Sequence, residues 1–182
     1  MNPIEITTKI TNAANILNIE KWDYGASFSN DYSVQVDRGK AKQLKASQKQ
    51  VITLRVWNKK NLVGITTTSD FSEKGIKKAF KQANIASEFG NKNEITDFSP
   101  LAKVPIQIKE VDIKNPLGIK KLLKILRDAE AKLIDSHEAI KSIPYNGLSE
   151  SFYERIYANS DGAFRNYCKS QAALYLYARA EE

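Results

Sequence analysis

The chain contains one cysteine, Cys168, and one histidine, His137. A single cysteine excludes an internal disulfide and fits a reducing compartment. A catalytic thiolate needs a basic neighbour, and with so little histidine to supply one, Cys168 reads as an inert thiol on a strand. The same scarcity excludes a Cys/His cluster at metal spacing. No apolar run is long enough to span a bilayer. The opening MNPIEITTKI lacks the basic region and apolar core of a signal peptide, so a cytoplasmic location is expected. Phosphate-binding glycine loops and the G-x-S-x-G nucleophile turn are missing too, as are internal repeats and low-complexity tracts. Glu181-Glu182, the most obvious carboxylate pair, reads as a solvated terminus.

What remains is ordinary globular material. With 182 residues, 42% hydrophobic and 27% charged, the chain can bury one core, and a single domain over 1–182 is expected, two small ones being the alternative. Its organising stretch is 24–68. Phe28, Tyr32, Val34 and Val36 alternate with Ser27, Ser29, Asp31, Ser33 and Gln35, the period of a half-buried strand. Arg38-Gly39 then makes a tight turn. Lys42, Leu44 and Ala46 continue as a strand, Ile52, Leu54 and Val56 as another, and Asn58 to Asn61 turn the chain into LVGITTT. The expectation is an antiparallel meander of about four strands.

Helices flank this sheet. Asn2, Pro3 and Glu5 have capping-box spacing ahead of the stripe Ile6, Ile10, Ala13, Ala14 and Leu17. Asp70 and Glu73 repeat that spacing before Ile76, Ala79, Phe80, Ala83 and Ala86, with Gly90 as the stop. Residues 91–116, with Asn91, Asn93, Pro100, Pro105 and Pro116, read as an extended connection with a short strand at VPIQI. Asn115-Pro116 opens a third helix with the stripe Ile119, Leu122, Leu123, Leu126, Ala129 and Leu133, its first turn weakened by Gly118. Strands return in the last third, with turn signals at Asn146-Gly147 and Asp161-Gly162 and many aromatic residues, among them Tyr145, Tyr153, Tyr157, Tyr167, Tyr175 and Tyr177. Alternation after Gly162 places Arg165, Tyr167, Lys169, Gln171, Ala173 and Tyr175 on one face, a packing surface rather than a ligand site. The chain stops within what reads as a strand, ALYLYARAEE, as expected of a piece of something longer. The fold class is therefore α+β, antiparallel meander sheet packed against two or three amphipathic helices.

Charge is concentrated. Of the net +7, nearly all arises between residues 31 and 60, where Arg38, Lys40, Lys42, Lys45, Lys49, Arg55, Lys59 and Lys60 face only Asp31 and Asp37. A basic strand face can bind phosphates, but Tyr32 and Trp57 are the only obvious base-stacking candidates there, and no nucleic-acid motif is present. A solvated face that discourages edge-to-edge aggregation is the preferred reading.

The R-G turn at 38–39, the arginine-bearing strand and turn TLRVWNKKNLVG, the T-T-T-S-D exit and the alanine-containing helix after it resemble the N-terminal domain of the TldD/PmbA family. NSDG at 159–162 is similar to that family's Asn-Ser-x-Gly hairpin. Members are zinc metallopeptidases and their partners, historically called modulators of DNA gyrase. The family's metal motif, H-E-x-x-x-H, is approached only at His137-Glu138. Its second histidine would fall at Ser142, and Ile143-Pro144 would end a helix there. His137 reads as a helix-end residue, and no catalytic, cofactor-binding or metal residue is assigned in this segment.

The resemblance thus implies an N-terminal domain of a longer protein whose zinc-binding domain lies downstream of Glu182. Its role would be to help assemble subunits, as a homo- or hetero-oligomer with a related chain, and to enclose the access of extended or unfolded peptides to the metal. The segment alone is not expected to be an enzyme. The alternative is a non-catalytic binding module whose basic sheet face engages nucleic acid or an acidic protein. Nucleic acid is the less favoured partner, and none of these readings involves a membrane.

Overall fold

Helix α1, Pro3–Ile16, starts where the sequence places it. Asn2 accepts a hydrogen bond from the Ile4 amide at 3.0 Å, and Pro3 takes the first turn, where an amide would lack a helical partner. Glu5 does not close the capping box. It pairs with Lys9 Nζ one turn on, at 2.7 Å, and that hydrogen bond lowers its carboxyl pKa. The computed structural model describes residues 2–90, 98–104 and 116–181.

Strands β1 (Lys21–Asp37), β2 (Lys40–Trp57) and β3 (Val63–Thr68) follow. Arg38 and Gly39 both have positive φ, 49° and 73°, the primed geometry that matches the twist of a hairpin. The expected four strands are three. Lys42, Leu44 and Ala46 keep the same parity as Ile52, Leu54 and Val56, and Ser47 to Gln50 contain no glycine, proline, asparagine or aspartate, so one 18-residue strand runs through. Helix α2, Glu73–Ser87, buries Ile76, Ala79, Phe80 and Ala83 as expected. Its cap is Ser72 rather than Asp70. Ser72 Oγ accepts from the Gly75 amide, while Asp70 is occupied by the Ser72 amide.

Helix α3, Ile119–Asp135, begins later than Asn115-Pro116 suggests. Gly118 sits at φ 77°, outside helical space, and a carboxylate from another strand, Glu150, takes the Leu117 and Gly118 amides at 2.8 and 3.4 Å. Strand β4 (Ile140–Asn159) runs straight through Asn146-Gly147, where a turn is expected from sequence. Asn146 is buried, and its side chain accepts from the Val36 amide at 2.9 Å and donates to the Val36 carbonyl at 2.8 Å. Gly147 makes room for Tyr175, whose ring would lie 2.7 Å from a Cβ there. Turn residues can thus serve a strand when their small or polar side chains have a partner. The Asp161-Gly162 turn does form, with Asn159 Oδ1 accepting from the Asp161 and Ala163 amides, and leads into β5 (Phe164–Ala180). Pro100–Lys103 is a short 3-10 helix; the strand expected at VPIQI falls, beyond Val104, outside the described residues.

The strands form one antiparallel sheet in the order β3-β2-β1-β4-β5, so the α+β class and the meander hold. Four of the strands contribute to both of two compact units. In the first, α1 and α2 cover β1 up to Phe28, β2 from Gln50, β3, and the adjoining parts of β4 and β5. Its core joins Ile6, Ile10, Tyr24, Leu54, Phe80 and Ile156 among others. In the second, α3 covers 29–37, 140–153 and 168–180 through Val34, Val36, Leu122, Leu126 and Leu148, with Leu176 packed alongside.

Candidate functional site

His137 and Glu138 do not lie on a helix. α3 ends at Asp135, and the pair occupies the exposed turn into β4, where His137 Nδ1 accepts from the Ala139 amide at 3.1 Å. Ser142 is already on β4, so the spacing of the metal motif has no helical face on which to act. Among the described residues no group of three or more His, Cys, Asp or Glu is placed to hold a metal ion. Cys168 is half-buried on β5, and Glu181 pairs with Arg179 at 2.9 Å. The described residues do not fit a zinc centre.

The basic stretch divides between the two units. In the second unit every residue from Asp37 to Lys49 is exposed, so Arg38, Lys40, Lys42, Lys45 and Lys49 stand on both faces of a wet ribbon. The two aromatic residues considered for base stacking are closed to a base. Tyr32 packs against the second core. Trp57 is buried at the end of β2, with Phe98 edge-on at 5.2 Å and Arg55 over its ring at 5.3 Å.

The most structured polar arrangement lies in the first unit, among residues opposite in parity to its core positions. Trp22, Tyr24 and Ala26 are buried, whereas Asp23, Gly25 and Ser27 belong to the other face of β1. Asp23 is only 2% exposed, and Arg55 of β2 holds its carboxyl group bidentately, Nε to Oδ1 at 2.8 Å and Nη2 to Oδ2. Tyr157 of β4 donates to the same carboxylate at 3.3 Å. Burial, with the Asp23 charge adding to it, pushes the Tyr157 phenol above its ordinary pKa. Beside this triad a dent of about 420 Å³ opens over Gly25, bordered by Ser27, Thr53, Arg155, Tyr157 and Tyr167. Arg165 at its edge is committed to backbone, donating to the carbonyls of Phe164, Ala102 and Val104 at 2.8, 2.7 and 2.5 Å. Arg155 is exposed and has no hydrogen-bond or ion-pair partner among the described residues. The sequence reading missed this site. Extending the alternation of β1 back to Lys21 would have put Asp23 and Gly25 on the polar face, but nothing local announces Arg155.

Among the described residues no set of metal-ligating side chains borders the dent. Comparison with known proteins identifies the setting. Residues 26–86 match PmbA/TldA metallopeptidase domain 1, and residues 113–182 match the PmbA/TldA metallopeptidase central domain. The chain belongs to the PmbA/TldD family. A search of curated proteins gives no match. Three solved structures share the PmbA/TldD fold with this chain. A protein of Thermotoga maritima described as a candidate modulator of DNA gyrase has a TM-score of 0.74 at 13% identity, covering 98% of this chain and 40% of its own. TldE from Thermococcus kodakarensis has 0.66 at 14% identity, covering 100% and 40%. A candidate gyrase modulator of Bacteroides thetaiotaomicron has 0.71 at 11%, covering 93% and 39%. The chain therefore spans about two fifths of the length of these relatives. The Arg38-Gly39 turn, the Arg55 strand and all of α2 but its last residue fall within the first PmbA/TldD match, and the NSDG hairpin within the second.

Proposed function

We propose that residues 1–182 act as the non-catalytic N-terminal portion of a PmbA/TldD-type zinc peptidase or of its partner subunit. On this reading the metal-binding domain belongs to the part of the family's length that the chain does not span, downstream of Glu182. The portion described here contributes to subunit assembly, with a like or related chain, and to admitting extended peptides. The observation that carries the reading is the succession of two domain matches to one metallopeptidase family, in a chain whose described residues place no metal-ligand set together. The exposed strand β5, at one end of the strand order and bearing uncovered Tyr167, Leu174, Tyr175 and Tyr177, supports a role in assembly. A cytoplasmic setting is part of the proposal, supported by the low cysteine content. Purified residues 1–182 are expected to hold no stoichiometric zinc and to cleave no peptide. Elemental analysis finding one tightly held zinc per chain, lost in His137→Ala, would overturn this.

The second reading, a binding module, is favoured by one observation. The ribbon of Arg38, Lys40, Lys42, Lys45 and Lys49 is exposed on both faces, a shape suited to an acidic protein or nucleic acid.

A further inference from the structure

The dent over Gly25 has what is needed to hold an anion with an apolar body, and neither family match assigns it a role. We propose that it binds the C-terminal carboxylate of an extended peptide, an inference that rests on the peptide reading above. Its volume, about 420 Å³, is at the small end of ligand-sized cavities. Its floor is open because Gly25 has no side chain and nothing lies within 4 Å of the place a Cβ would take. Among the described residues one cation borders it without a partner, Arg155, since the Arg165 guanidinium is taken up by three carbonyls. Arg55 is likewise committed, to the buried Asp23.

That count of charges selects the ligand. A single unpaired guanidinium matches a carboxylate, monoanionic and planar, which it can grip with two parallel N–H···O bonds. A phosphate would call for a second charge or a helix N-terminus, and the other polar groups bordering the dent are uncharged, the hydroxyls of Ser27, Thr53, Tyr157 and Tyr167 and the side-chain amide of Asn166. The Asp23 carboxylate does not compete with the ligand for Arg155, because it is buried and engaged by Arg55 and Tyr157. Tyr157 and Tyr167 supply ring surface for the last side chain, Tyr167 being 58% exposed and thus open to cover. The neighbouring Asp23–Arg55–Tyr157 triad holds one of these walls in place: it ties the Tyr157 hydroxyl to β1.

The test uses the 182-residue chain and an N-acetylated tripeptide ending in leucine, as the free acid and as its amide, followed by calorimetry and by amide chemical shifts. The free acid should bind with shifts centred on Gly25, Thr53 and Tyr157, and the amide at least about tenfold more weakly, from loss of a charge-assisted pair. Arg155→Gln should cost the acid the same factor and leave the amide unaffected; the exposed, unpaired side chain makes this a safe change for the fold. Gly25→Val should abolish binding of both while keeping the fold, since the backbone there is not at positive φ and valine suits a strand. Equal affinity for acid and amide, wild-type affinity in Arg155→Gln, shifts located elsewhere, or displacement of the peptide by equimolar inorganic phosphate would each overturn the proposal. Failure here leaves the zinc and peptidase measurement above unaffected, so the two readings fail separately.

Discussion

Glu130 lies inside helix α3, 3% exposed, yet its carboxylate serves a hairpin tip. Its two oxygens accept from the Arg38 and Gly39 amides at 3.2 and 2.7 Å. Both amides sit in the left-handed turn, where no ladder partner reaches them. Asn146 and Glu150 do similar work, answering the backbone of Val36 and the start of α3. Glu130→Ala is expected to destabilise the chain by about 2 kcal/mol, the scale for hydrogen bonds to a charged group, and Glu130→Gln by roughly half that. Lys132→Ala on the exposed face of the same helix should change little. Urea unfolding of the three variants checks this, and equal midpoints for Glu130→Ala and Lys132→Ala would rule it out. None of these pairings was legible in the sequence. Glu130 and Arg38 are 92 residues apart, and a glutamate in an amphipathic helix reads as solvated until its partner is known.

At the scale of elements, periodicity was a good guide to type and a poorer guide to extent. Unbroken even-numbered parity from Lys42 to Val56 joins the two expected strands into β2. Asn146-Gly147 carried the local signature of a turn, and only the Val36 backbone and the Tyr175 ring explain why it is strand. The exposed ribbon of β2 is where charge has an element-scale consequence. β3 pairs only with 52–57, leaving the earlier part of β2 without a neighbour on that side among the described residues. Lysines on such an edge disfavour pairing with another strand. Nucleic acid should therefore bind weakly, without base selectivity, and with affinity falling steeply as salt rises. Filter binding or anisotropy across a salt series checks this. A sequence-selective, low-micromolar complex at physiological salt, lost on changing Lys40, Lys42 and Lys45 to Ala, would establish the binding-module reading instead.

For the whole molecule the open question of chemistry is one of surfaces. β5 stands at one end of the sheet order with Leu174, Tyr175 and Tyr177 at 50%, 44% and 63% exposure. Such an uncovered strand is a template for another chain. The isolated chain is expected to self-associate at high concentration through β5, and Leu174→Lys to shift it toward monomer without loss of fold. Leu176→Lys should instead destabilise the second unit, because that side chain packs against its core. Sedimentation distinguishes the two variants, and a strict monomer for the unmodified chain would show that β5 needs no cover.

The sequence by itself determined the α+β class, the N-terminal cap of α1, the Arg38-Gly39 and Asp161-Gly162 turns, and most of the buried stripes of α1 and α2. These depend on neighbours within a few residues, whose spacing the chain carries openly. Only the tertiary structure decided that Asn146-Gly147 is strand, that Glu130, Asn146 and Glu150 are buried partners of distant amides, and that Gly25 opens a dent beside Arg155. Each of these depends on groups far apart in the chain, and a side chain's preference for water or for the interior is settled by what the fold brings to it.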